Sequence, residues 1–113
     1  MIRRYRGTLL CLALLVLAIP FAVAQTGSTR TIKGTVLGPH DQNVSGAIVY
    51  LKNTQSKDIL SYITQSNGEF LFGYTPTNVD MQLWAVYKGK KSSMTTISTF
   101  DSRKKILITL HIK

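Results

Sequence analysis

Cysteine is nearly missing from this sequence, acids are scarce and turn formers are modest. The 113 residues hold one Cys, five Asp and Glu, three Pro and eight Gly. One Cys cannot pair within a chain, so a disulfide framework and a zinc ribbon are both excluded. The Gly and Pro counts exclude collagen-like and low-complexity chains. The length leaves room for one small domain. Against the few acids stand 14 Lys and Arg, giving a formal charge of +9, and 44% of residues are apolar.

Part of that apolar and basic excess lies at the N-terminus, in a pattern of export. Arg3, Arg4 and Arg6 form a basic head, Leu9 to Ile19 is an unbroken apolar run, and Pro20 interrupts it. Ala22-Val23-Ala24 supplies the small-x-small cleavage pattern, which predicts a signal peptide over residues 1–24, cut between Ala24 and Gln25. An uncleaved anchor is the rival. At 1.5 Å per residue, residues 9–24 reach about 24 Å of a roughly 30 Å hydrocarbon core, too short for a stable span. Cys11 sits inside the apolar run, where it is a small apolar filler lost with the signal. Cleavage removes the three arginines and none of the acids, so residues 25–113 carry +6 and no Cys. An exported domain without a disulfide must be held by core packing and a well-paired sheet.

Residues 25–30 are small and polar and read as a flexible leader; the domain is expected over 31–113. Its dominant period is two. Ile32, Gly34 and Val36 alternate with polar neighbours, as do Ala47, Val49 and Leu51, with a turn-rich stretch from Gly38 to Asn43 between them. Residues 59–65 place Leu60, Tyr62 and Thr64 on one side. Asn67-Gly68 then predicts a hairpin into Phe70 and Phe72. Residues 80–87 place Met81, Leu83 and Ala85 inward, Ser92 to Thr99 is a weak polar strand, and Ile106, Ile108, Leu110 and Ile112 alternate cleanly. No window carries helical spacing with caps. Seven short strands with regular turns predict an all-β, antiparallel, Greek-key-type sandwich. The chain stops just after the last strand, and nothing is expected downstream.

These residues resemble the carboxypeptidase regulatory-like domain family, whose fold is a transthyretin-like (prealbumin-like) sandwich. The resemblance rests on Gly34-x-Val36, Ser45-Gly46-Ala47-x-Val49-x-Leu51, Thr64-x-Ser66-x-Gly68-x-Phe70, and Leu83-x-Ala85 closing on Gly89. It departs where Gln65 stands in place of an Asp, and where Pro76 to Met81 replaces a tighter approach to the fifth strand. What it implies is the fold, with each of these residues in a structural role. Family membership of this kind does not imply peptidase activity.

Candidate chemistry is sparse. His40 and His111 stand in a turn and in the last strand without an acidic pair beside them, so no metal site is expected. No Ser or Thr has a base and an orienting acid at hand, no glycine-rich phosphate loop occurs, and no cofactor is expected. Lys88, Lys90 and Lys91 form one basic cluster and Arg103, Lys104 and Lys105 another. In a simple meander of the last three strands they fall at opposite ends, which argues against nucleic acid. Parity turns Trp84, Gln82 and Tyr50 outward, where aromatics could stack on a sugar ring, or simply make cross-strand contacts or pack under a loop. The expectation is therefore a non-enzymatic binding or protein-interaction module, periplasmic or extracellular, whose partner is an envelope protein or a glycan. A carbohydrate-binding module using Trp84, Tyr50 and Gln82 is the alternative, and a small transthyretin-like hydrolase a distant third. No nucleic acid and no membrane span after processing are expected.

Overall fold

A computed structural model describes residues 28–113; the signal segment and its cleavage point between Ala24 and Gln25 lie outside them. Every regular element of the described residues is a strand. In chain order these are β1 (Thr29–Leu37), β2 (Ile48–Asn53), β3 (Ile59–Ile63), β4 (Glu69–Pro76), β5 (Met81–Tyr87), β6 (Lys90–Lys91), β7 (Thr95–Ile97) and β8 (Lys105–His111). One sheet has the order β4-β1-β8, and the other β3-β2-β5-β6 with β7 also on β5. The alternating residues meet between them. Ile32, Val36, Val49, Leu51, Phe70, Leu83, Ala85, Ile106 and Leu110 are all buried to 2% exposure or less.

The sandwich differs from the sequence expectation in several places, each with a physical cause. The described residues form eight strands rather than seven, because the polar segment from Lys90 breaks in two. Ser92 is buried, its Oγ accepts from the Ala85 amide at 2.9 Å, and the backbone bridges across to Ile112. The arrangement is not purely antiparallel either. After β7 the chain leaves the β5 sheet and crosses over, and β8 runs parallel to β1 from Thr31 opposite Lys105 to Leu37 opposite His111. The meander of the last strands is thereby replaced by a crossover, yet the two basic clusters still lie at opposite ends. Lys90 and Lys91 pair with the end of β5, whereas Lys105 lies level with the start of β1.

The Asn67-Gly68 turn forms, but it does not close a hairpin. Gly68, at φ 78°, donates to the Gln65 carbonyl at 2.8 Å and Gln65 donates to Glu69 at 3.2 Å. Beyond that turn the strands part, β3 pairing with β2 and β4 with β1. The turn carries the chain from one sheet to the other, because Gly68 is held by β1: its carbonyl accepts from the Val36 amide at 2.9 Å. A two-residue turn signal fixes a reversal of direction, and the pairing partner is chosen by burial of Phe70 and Phe72.

β1 starts at Thr29, inside the stretch expected as leader. Arg30 draws it in. This side chain is 2% exposed and its guanidinium donates to the carbonyls of Asp101 at 3.1 Å and Thr77 at 3.2 Å, with Nε left unpaired. A buried arginine is held here by loop carbonyls rather than by a carboxylate, and it ties the β4–β5 and β7–β8 loops to the first strand. Opposite Thr31, β4 carries an extra residue at Gly73-Tyr74, a bulge in which Tyr74 takes φ 57° and is 89% exposed.

Candidate functional site

The outward face of the β3-β2-β5 sheet gathers the aromatic residues singled out from sequence. Register sets Tyr50 directly opposite Trp84, Lys52 opposite Gln82, and Ile48 opposite Val86. On the other flank of β2, Ser61 lies opposite Tyr50, Ile59 opposite Lys52 and Ile63 opposite Ile48. Side chains opposite one another point to the same face, so these form three rows across the sheet. The central row is Ser61, Tyr50 and Trp84. The Tyr50 and Trp84 rings stack with centroids 5.5 Å apart and planes 26° apart. Lys91 places its Nζ 5.4 Å from the Trp84 ring centroid. Both aromatic rings are half-buried, while Ile59 and Ile63 are exposed.

Their inward neighbours explain why these rings stay outside. Val49, Leu51, Leu83 and Ala85 are fully buried beneath them, and a strand that commits alternate residues to the core must turn the others out. Tyr50 and Trp84 therefore form a cross-strand pair whose ring faces already meet each other and Lys91. Gln82 lies in the next row, beside Lys52.

The remaining sequence-marked residues are part of the frame. Gly46 and Gly89 take φ 80° and 77°, which only glycine adopts without strain. Thr64 is 4% exposed and its Oγ1 accepts from the Ala47 amide at 2.9 Å while donating to the Val44 carbonyl at 2.7 Å. Ala47 is completely buried at that junction. Gly34, Val36, Phe70 and Leu83 line the core. None of these contributes a reactive group to an open surface.

His111 stands on the outer side of β8, as its parity requires, but an acid lies beside it after all. Its Nε2 is 3.6 Å from Asp41 Oδ1, both side chains being exposed. The crossover that aligns Leu37 with His111 brings the Gly38–Asn43 loop to that end, a proximity invisible in the sequence. Among the described residues no group of three or more His, Cys, Asp and Glu is placed to hold a metal.

Sequence reasoning missed a shallow groove of about 360 Å³ on the outside of the other sheet, lined by Lys33, Thr35, Glu69, Lys105, Leu107 and Thr109. The outward parity of each residue was readable, but the groove exists only because β8 lies alongside β1. It offers cations, hydroxyls and one carboxylate.

One ion pair is electrostatically strong. Arg103 Nη2 lies 2.6 Å from Asp101 Oδ2, and the Arg103 amide also donates to Asp101 Oδ1 at 3.1 Å. The Arg103 side chain, then its amide, hold the Asp101 carboxyl below its ordinary value of 3.8, at about 2. A depressed carboxylate pKa stabilises the fold above the ordinary value, and that contribution is lost as pH falls toward the folded value. Carboxyl-carbon NMR should give a midpoint for Asp101 of about 2. In Arg103→Gln that midpoint should return toward the ordinary carboxylate range; an unmoved midpoint would show that another group sets it.

No protein-family model matches the chain, and no curated protein matches it in sequence. Similar structures do exist. The chain superposes on the major pilin subunit BcpA of Bacillus cereus with a TM-score of 0.59 at 15% identity, covering 75% of this chain and 30% of the pilin. Catechol 1,2-dioxygenase from Acinetobacter sp. ADP1 gives 0.57 at 10% identity, over 77% of this chain and 53% of the enzyme. The dioxygenase domain of a dioxygenase carbohydrate-binding protein fusion from Streptomyces sp. SirexAA-E gives 0.56 at 13% identity, over 78% and 81%. The chain thus spans under a third of the pilin subunit and about half of the catechol dioxygenase. At these identities the likeness is one of fold, and it places the chain among β-sandwich domains. Pilin and dioxygenase on one scaffold show that the scaffold does not choose the function. Among the described residues no helix is long and apolar enough to cross a membrane.

Proposed function

We propose that this chain is an exported, non-enzymatic β-sandwich module of the carboxypeptidase regulatory-like type, acting at or outside the cell envelope by binding another protein. The observation that carries the reading is the outer face of the β3-β2-β5 sheet. There Ile48, Tyr50, Trp84 and Val86 form a half-buried apolar and aromatic surface, with Lys52 and Lys91 at its margins. Aromatic centres with a polar rim are the usual composition of a protein-binding patch. A module of this kind needs no reacting group, and export is supported by the basic head, apolar run and Ala22-Val23-Ala24 of the sequence.

The double substitution Tyr50→Ser, Trp84→Gln leaves the inward residues untouched and tests this. Binding of the envelope partner captured by the wild-type chain should weaken by about 30-fold or more, the scale of an aromatic hot spot. Unchanged capture by a folded double variant would remove this face from the function.

A glycan partner is the second reading, favoured by the meeting of Tyr50, Trp84 and Gln82 on adjacent rows. Trp84 is the only tryptophan of the chain, so its fluorescence reports on this surface alone. Envelope glycans should shift its emission if a sugar stacks there. Spectra that stay constant through the whole titration would leave the protein partner as the surviving reading.

A further inference from the structure

We propose that the free edge of β3 pairs with the β3 edge of a second copy of this chain, antiparallel and centred on Ser61, joining two sandwiches through one continuous sheet. The inference goes beyond the binding face above, because it concerns the edge of the sheet rather than its surface.

The sandwich has several edges, and β3 differs from the rest. The β4 edge carries Glu69 at one end, Pro76 at the other, and the Gly73-Tyr74 bulge between them. β6 consists of Lys90 and Lys91, and β7 is only three residues long. β8 starts with Lys105, and just past its far end Ile112 bridges to Ser92. Cations, proline, bulges and short length are the devices that keep sheet edges from pairing. β3 has none of them. From Ile59 to Gly68 the sequence holds no charged residue and no proline, and Ile59, Leu60 and Ile63 are 52%, 54% and 65% exposed.

The backbone directions fit a symmetric pair. Thr64 donates to Ala47 and accepts from Gly46, and the Asp58 carbonyl accepts from Asn53, so the even-numbered residues of this strand direct their amides and carbonyls toward β2. By alternation Ile59, Ser61 and Ile63 direct theirs to the open side. A two-fold axis at Ser61 sets Ile59 against Ile63 of the second copy and Ser61 against its own mate, each exchanging both backbone groups.

The side chains also match under that axis. On the outer face isoleucine meets isoleucine and serine meets serine. On the inner face Leu60 meets Tyr62 of the second copy. Leu60 lies opposite the fully buried Leu51, yet stays exposed because the facing sheet ends at β4. Self-matching selects a second copy as the occupant, because the outward backbone groups of Ile59, Ser61 and Ile63 repeat symmetrically about Ser61, and charge decides which edge it uses. In a chain of net charge +9, symmetric pairing through β6 would set lysine against lysine, whereas the β3 axis opposes no like charges. The central rows of both copies then align as Trp84, Tyr50 and Ser61 followed by their mates in reverse.

Sedimentation and cross-linking of the full chain test this. A self-opposed pair that exchanges backbone bonds has Cα atoms about 5.5 Å apart, within disulfide reach. In a Cys11→Ser background, Ser61→Cys should be converted by diamide to a covalent dimer, while Thr96→Cys, exposed on the same face at the opposite edge, should not. Ser61→Pro removes an amide that faces away from β2 and should give monomers with an unchanged β-sheet circular dichroism spectrum. Ile63→Lys should do the same should the proline variant fail to fold. The apolar N-terminal segment is common to all of these chains, so a difference between them reports on the edge. A monomeric wild-type chain, association unaffected by either substitution, equal cross-linking at Thr96, or uptake of another protein's extended strand in place of a second copy would each overturn the proposal.

Discussion

Replacing Gly34 with alanine is expected to destabilise the domain by about 3 kcal/mol or more, the upper range for forcing atoms into a packed interior. Gly34 faces the core from the middle strand of the β4-β1-β8 sheet, between Ile32 and Val36. A Cβ there would run into the Ile108 carbonyl oxygen and come within 2.5 Å of Phe70 Cζ. Neither neighbour can yield cheaply. Phe70 is 1% exposed and packs against Phe72 with ring centroids 6.1 Å apart, and the Ile108 backbone belongs to the parallel ladder with β1. The backbone angle plays no part, since Gly34 does not take a positive φ. Space alone makes the argument, and Gly73→Ala supplies the control. Gly73 is exposed on β4 with nothing within 4 Å of a built Cβ, so its replacement should change stability by under about 0.5 kcal/mol. Urea unfolding of both variants checks the pair, and a domain this size should melt roughly 4–8 °C lower for each kcal/mol lost. Equal effects at both positions would show that chain entropy, rather than the Phe70 contact, governs Gly34.

The period of two identified faces reliably and partners poorly. Met81, Leu83 and Ala85 were legible as the core side of β5, and with them the outward turn of Gln82 and Trp84. That Tyr50 sits directly opposite Trp84 was not legible, because parity says which way a residue points and not which residue lies across from it. The same gap hid the parallel pairing of β1 and β8. Both strands alternate cleanly, and alternation looks the same whichever neighbour a strand takes. The Asn67-Gly68 signal was read correctly as a reversal and wrongly as a hairpin, since burial of Phe70 and Phe72 takes the chain across to the other sheet, where the Val36 amide binds the Gly68 carbonyl. Arg30 and Tyr74 carried no local signal at all. A buried arginine paired to loop carbonyls, and a tyrosine at φ 57°, are consequences of loops and a bulge whose geometry exists only after the sheets have met.

Thr64 was one of the residues marked by the family resemblance, and its structural role gives the second large expected effect. Its hydroxyl bridges the Ala47 amide and the Val44 carbonyl, closing the turn that contains Gly46 onto the end of β3. Both partners are buried, Ala47 at 0% and Val44 at 6% exposure. Valine has nearly the shape of threonine but cannot bond, so Thr64→Val leaves a buried donor and a buried acceptor unsatisfied together. At about 1–3 kcal/mol for each such group, the expected loss is about 2–6 kcal/mol. Serine keeps the bridging oxygen and gives up one methyl, so Thr64→Ser should cost about 1 kcal/mol. Urea unfolding should therefore rank the variants with serine close to wild type and valine far below. Hydrogen exchange should localise the damage, with the Ala47 amide losing protection in the valine variant and keeping it in the serine variant. The opposite ranking would mean that the threonine methyl, rather than its hydroxyl, holds this corner. The consequence reaches the surface, because Thr64 also pairs its backbone with Ala47 and Gly46 just beyond β3. A loosened corner frees the strand whose open edge and outward isoleucines border the aromatic row, so Thr64→Val should weaken partner capture even where the domain remains folded.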